Sequence, residues 1–108
     1  MILHVPPTGP VLDAAGAIDL IGDAWAAEAT WVAIPAQRLG ADFFTLRTGV
    51  AGEIVQKFVN YRLGLAVVGD ISGYTAGSSS LRAFVAESNR GRQLWFTADV
   101  AEFEARLR

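Results

Sequence analysis

Hydrophobic residues in this chain alternate between short continuous runs and stretches at helical spacing. Ile2-Leu3-His4-Val5 is a short extended run stopped by Pro6-Pro7-Thr8-Gly9. Asp13 is a natural N-cap, and Ala14, Ala17, Ile18, Ile21 and Trp25 then recur at the spacing of one helical face, predicting a helix that ends near Glu28. Trp31-Val32-Ala33-Ile34 reads as a buried strand closed by Pro35, and the loop Ala36–Leu46 carries the pair Phe43-Phe44. A second helix runs from Thr48 or Gly49 to Asn60. Val50, Ile54, Val55, Phe58 and Val59 form its apolar positions, and Glu53, Gln56, Lys57 and Asn60 its polar stripe.

The second half repeats the alternation. Leu63–Val68 is the most continuous apolar run, closed by Gly69-Asp70 and followed by the Gly/Ser-rich loop Ser72–Ser79. Ser79 or Ser80 caps a third helix, with Leu81, Phe84 and Val85 on one side, which stops at Asn89-Arg90-Gly91. Gln93–Thr97 is a fourth strand. Asp99-x-x-Glu102 reads as a capping box for a last helix with Val100, Phe103 and Leu107 inward. Successive strands start about thirty residues apart, the length of a βαβ unit, so the sheet is expected to be largely parallel. The fold expected is a single small α/β domain over residues 1–108: a mostly parallel sheet of four or five strands with about four helices.

Composition narrows the function classes. Without cysteine there are no disulfides, thiol nucleophiles or thiolate metal sites. The net charge is −2 and the nine cationic residues are scattered, so no basic stripe follows a phosphate backbone and nucleic acid is not an expected partner. No apolar run approaches the ~20 residues needed to span a bilayer, and Pro6-Pro7 interrupts the N-terminal run early, so a cytoplasmic protein is expected. Hydrophobic residues make up 52% of the chain before its 11 glycines are counted, whereas ordinary domains reach about 45–50% with glycine included. That excess predicts a homodimer interface; the simpler account is that 18 alanines inflate the figure.

In parallel sheets ligands collect outside the carboxyl ends of the strands. The loops expected there supply the candidate site residues Thr48, Gly49, Glu53, Asp70 and Tyr74. Thr48-Gly49-Val50-Ala51-Gly52-Glu53 begins a helix with small residues, and the free N–H groups of such a start bind an anion. Neither GxGxxG nor GxxxxGK[ST] is present. The plain account makes Thr48 an N-cap, lets Gly52 serve tight helix–sheet packing and leaves Glu53 and Lys57 as a solvated pair. Asp70 is either a site acid or a turn cap, and Phe43-Phe44 a core plug. His4, the single imidazole, has no evident carboxylate partner. No H-E-x-x-H, nucleophile elbow or histidine cluster exists, so no catalytic residue, metal or cofactor is assigned. Ser78-Ser79-Ser80 would accept a phosphate at a helix start, or serve as a capping loop.

Asp42-Phe43-Phe44 followed by Thr48-Gly49-Val50-Ala51-Gly52-Glu53-Ile54-Val55-Gln56-Lys57-Phe58 is similar to the hallmark of a bacterial family catalogued as domain of unknown function 4180. Asn60-Tyr61-Arg62, Leu65–Asp70, Ser80-Leu81-Arg82 and Glu87–Gly91 agree too, so the resemblance runs from about Asp19 to the C-terminus. It implies a family and no activity. The layout, STAS-like or Rossmann-like, also resembles the STAS-type antagonists of anti-sigma factors, which phosphorylation at a helix start controls. By that resemblance Thr48 takes the switch position, without the usual Asp-Ser.

The function expected is therefore a noncatalytic module acting through protein–protein contacts, as a homodimer or with another protein, with a regulatory role. The alternative is a small enzyme or an anion- or nucleotide-binding protein using Thr48-Gly49 and the loop after Asp70. A third location, Tyr61-Arg62 with Glu87 and Asn89, has its own plain account in a hydrogen-bonded Glu87–Arg62 scaffold.

Overall fold

Alternate residues of a strand point to opposite faces of its sheet, so each run above splits into two sets. The computed structural model describes residues 1–108. In it β1 (Ile2–His4), β2 (Trp31–Pro35), β3 (Gly64–Val68) and β4 (Leu94–Thr97) form one sheet in the order β1-β2-β3-β4, with every pairing parallel. The register sets Val32 beside Leu65 and Leu65 beside Leu94, and one row further Ala33 beside Ala66 and Ala66 beside Trp95. The α/β domain expected from the strand spacing is thus present, with four strands.

A parallel sheet laid down in chain order steps the same way at each crossover. Right-handed crossovers then carry every connecting helix to the same face. Those helices are α1 (Ala14–Ala26), α3 (Val50–Asn60) and α5 (Ser79–Arg90); the short helical turns α2 (Gly40–Phe44) and α4 (Ser72–Thr75) precede the last two. The larger core lies under them. It joins Ala17, Ile21 and Ala24 of α1 and Ala51, Ile54 and Phe58 of α3 to Val32, Ile34, Leu65, Val67 and Phe96 of the sheet. Phe43 and Phe44 are buried in it, so the aromatic pair is the core plug. The segment Ala36–Leu46 is mostly helical turn and not open loop.

The opposite face is covered by one element, α6 (Val100–Leu107). Trp31, Ala33, Ala66, Trp95 and Phe103 make a separate small core there, with Ile2, Val68 and Leu107 against it. Its rings interlock: Trp31 and Trp95 lie 4.3 Å apart between centroids, and Phe103 meets both. The Arg106 guanidinium sits 4.1 Å over the Trp95 ring, a cation–π contact. Gly64 is what lets Trp31 cross β3 to reach Trp95. A Cβ at Gly64 would fall 2.3 Å from the Trp31 ring.

Local chemistry places the helix ends. Asp13 Oδ1 accepts from the Gly16 N–H (2.8 Å), and Asp99 Oδ1 from the Glu102 N–H (2.8 Å), as N-caps do. Glu102 reaches back to the Ala98 N–H and not to that of Asp99, so the capping box is displaced by one residue. Ser78, rather than Ser79 or Ser80, caps α5 through its Oγ to the Leu81 N–H. Val50 begins α3, after Gly49 in the left-handed region (φ 79°).

Several expectations are corrected by packing. The inward face of α1 is Ala17, Ile21 and Ala24, whereas Ile18 and Trp25 point to solvent. Gly52 packs against nothing, with open space where a Cβ would stand. Val100 is exposed, and Phe103 alone is the fully buried anchor of α6. Glu53 and Lys57 form no ion pair. Glu87 pairs with Arg90 (2.9 Å) and not Arg62. His4 does have a carboxylate near it, that of Glu104 at 3.9 Å, with both side chains about half exposed.

Candidate ligand-binding cleft

The carboxyl ends of the four strands lead into Val5–Pro10, Ala36–Leu39, Gly69–Ser72 and Ala98-Asp99. The first two are locked together by Arg38, which is 8% exposed yet has no carboxylate partner. Its Nε donates to the Pro10 carbonyl (2.8 Å) and its Nη1 to those of Pro6 (2.8 Å) and Thr8 (3.1 Å). A guanidinium suits such a task because it offers five donors in a planar fork. The prolines contribute no N–H donors of their own, and Arg38 satisfies the carbonyls they leave. This organising residue was missed in the sequence, where an isolated arginine carries no signal.

The last two loops border a cleft of about 490 Å³ lined by Gly69–Ser72, Thr75, Arg82, Val85, Ala86 and Phe96–Ala98. Ile71, Val85, Ala86 and Phe96 supply an apolar wall. Asp70 and Arg82 supply the only two formal charges of the lining. Asp70 Oδ1 accepts from the Ser72 N–H (2.9 Å), and the carboxyl is held below its ordinary value by hydrogen bonds from the Ser72 side chain and then its backbone. Arg82 Nη1 donates to the Thr75 carbonyl (2.6 Å), which ties α5 to the helical turn α4. Thr97, buried at the end of β4, donates its hydroxyl to the Asp99 carbonyl (3.2 Å).

The candidate residues divide. Asp70 lines this cleft. Tyr74 stacks on Phe44 (4.3 Å between centroids, 11° between planes) and lines a neighbouring depression of about 450 Å³ with Arg47, Ser78 and Ser80. Thr48, Gly49 and Glu53 line neither. The Thr48 hydroxyl lies 2.8 Å from the Asp42 carbonyl and 2.9 Å from that of Thr45, and accepts from the Val50 N–H (3.2 Å). It fastens α2 to the start of α3, while Gly49 is the left-handed cap between them and Glu53 lies on the solvent side. Arg82, Val85 and Phe96 were not singled out as site residues, because each reads in sequence as part of an ordinary helix or strand. Asn89, at the far end of α5, binds the outer edge of β4: it accepts from the Phe96 N–H (2.8 Å) and donates to the Phe96 carbonyl (3.4 Å). The Arg106 side chain in turn donates to the Asn89 carbonyl. This pairing occupies an edge that would otherwise take up another strand.

Comparison with protein families matches residues 1–107 to the domain of unknown function DUF4180. The chain belongs to the DUF4180 family. The match begins at residue 1 rather than near Asp19, so β1 and the Pro6–Pro10 loop are part of the DUF4180 domain. No curated protein and no solved structure matches the chain. The family description carries no activity, and the reading of function rests on the chemistry of this chain.

Proposed function

We propose that this protein is a non-enzymatic contact module that works as a homodimer joined through the outer face of α1. The observation that carries the reading is the second apolar stripe of that helix. Ala15, Ile18, Gly22 and Trp25 follow one another at steps of three, four and three residues, the spacing of a helix–helix seam. Ile18 is 52% and Trp25 59% exposed, and Tyr61 at the end of α3 adds a ring that is 50% exposed. Together with Ile21 and Gly22 they line a shallow groove of about 350 Å³.

The stripe is self-complementary. Ile18 and Trp25 lie equally far from the middle of the seam, beside Gly22. In two antiparallel α1 helices related by a twofold axis, Ile18 of one copy meets Trp25 of the other. Gly22 has open space above it, which lets the two helices approach closely at the axis. Asp19 and Asp23 flank the seam near the axis, so association strengthens as salt screens them.

Sedimentation equilibrium over a range of concentrations tests this directly. The expected result is a monomer–dimer equilibrium in the wild type and a monomer for Trp25→Glu, whose exposed position leaves the fold intact by circular dichroism. A wild type that stays monomeric throughout, or a Trp25→Glu variant that dimerises as well as wild type, overturns the reading.

A further inference from the structure

The chains leaving β1, β2 and β3 all turn to the face that carries α1, α3 and α5, whereas the chain leaving β4 turns to the face covered by α6. Where neighbouring strands send their connections to opposite faces, the loops part and leave a crevice outside the carboxyl ends, the place where open α/β sheets bind ligands. In this sheet that divergence occurs only between β3 and β4. The 490 Å³ cleft stands there, between Gly69–Ser72 and Phe96–Ala98.

We propose that this cleft binds a small zwitterion with an apolar body, of the amino-acid type. Its volume falls within the roughly 300–1,000 Å³ of small-molecule sites, which combine mostly apolar walls with a few polar groups. The wall formed by Ile71, Val85, Ala86 and Phe96 takes the apolar body. The two formal charges of the lining select the head group. A guest with a single charge meets one like-charged residue, whereas a zwitterion sets its ammonium toward Asp70 and its carboxylate toward Arg82. Arg82 is prepared for this. Nη1 is anchored on the Thr75 carbonyl, and Nε and Nη2 make no hydrogen bond within the chain. Charge-assisted hydrogen bonds to the two faces of the guest then fix its orientation. The site shares no residue with the α1 seam, so each stands or falls alone.

The test is a titration of isotope-labelled full-length protein with phenylalanine, followed through backbone amide shifts. 3-Phenylpropionate and phenethylamine serve as controls that carry one charge each. The expected result is saturable shifts at Gly69–Ser72 and Phe96–Ala98 with phenylalanine, at least about tenfold weaker for either control. Asp70→Asn and Arg82→Gln each weaken binding by a similar factor. Arg82→Lys, which retains the cation should Gln loosen α4, recovers part of the loss. Ala86→Trp, on the exposed side of α5, fills the cleft without removing a polar group and abolishes the shifts. Absence of saturable shifts at these amides, equal binding of either control, or undiminished binding by Ala86→Trp overturns the proposal.

Discussion

The two faces of the sheet are built on different plans. One carries three long helices and a core of 20 buried residues drawn from every part of the chain. The other carries a single eight-residue helix, and its core is five buried residues, three of them aromatic, with Phe103 coming from the helix itself. Chain order explains the asymmetry. Four parallel strands added in sequence, each by a right-handed crossover, leave no connecting helix for the second face. Only the segment after β4 is free to cover it. A short helix cannot bury much area with aliphatic residues, so large rings do the work: Trp31, Trp95 and Phe103 bury more surface per residue and hold one another in tilted and edge-to-face contacts. The lesson is that the small face depends on a few residues and the large one on many. The crossing of α6 to that face is also what parts the loops at the β3–β4 cleft.

Truncating one ring on each face is the strongest way to break this comparison. Phe103→Ala and Phe58→Ala each remove a fully buried ring and should each cost about 3–5 kcal/mol in chemical denaturation. They should differ in kind. Phe103→Ala releases α6, exposes Trp31 and Trp95 and shifts native tryptophan emission to longer wavelength; Phe58→Ala leaves that emission unchanged. Equal spectra would show that the two cores are not separate.

Next in size is Gly64→Ala. Its new Cβ must displace the Trp31 ring, and overpacking of this kind costs about 1–3 kcal/mol, with loss of the near-ultraviolet dichroism of the Trp31–Trp95 pair. Gly52→Ala is the control. With open space at that position in the first turn of α3, where alanine still favours the helix over glycine, it should stabilise by up to about 1 kcal/mol. A smaller effect distinguishes the helix caps. Asp99→Ala and Asp13→Ala should each lose about 1 kcal/mol. Hydrogen exchange should show the loss spread through α6 in the first case and confined to the first turn of α1 in the second.

The smallest effects concern charge. A double-mutant cycle on His4 and Glu104 should return about 0–1 kcal/mol, since the pair is half exposed. At the cleft, the Asp70 carboxyl should titrate below the ordinary value of an aspartate in a carbon-detected NMR titration, and Ser72→Ala should return it toward that value. Because the folded-state pKa is depressed, the Asp70–Ser72 interaction is fully present at neutral pH and disappears only as pH falls through that lowered value.

Much of this architecture is legible in the sequence because it is set by near neighbours. The buried runs at β2 and β3 are continuous because both faces of those strands are covered. Asp13 and Asp99 are recognisable as caps because the N–H groups they satisfy lie three residues away. Misreadings arise where a distant contact overrides a local pattern. Ile18 and Trp25 share helical spacing with Ile21, but α1 has two apolar sides, and only the packing of the domain decides which side turns inward. Gly52 resembles a packing glycine by position, while the close approach occurs at Gly64, under a tryptophan 33 positions earlier in the chain. Arg38 looks like a surface residue until the Pro6–Pro10 loop folds over it. Of the candidate site residues, Asp70 lines the cleft because it directly follows the carboxyl end of β3, whereas Arg82 and Phe96 join that lining only through the docking of α5 and β4.

By itself, then, the sequence determined the four strands and four long helices, the caps Asp13 and Asp99, the α/β class and the family, since these depend on periodicity and hydrogen bonds within a few residues. The tertiary structure alone decided the strand order, the covering of the second face by α6, the exposure of the Ile18–Trp25 stripe and the placing of Asp70 and Arg82 on one cleft. Each of those follows from contacts between residues far apart in the chain, whose energies depend on which surfaces become neighbours and leave no trace in local spacing.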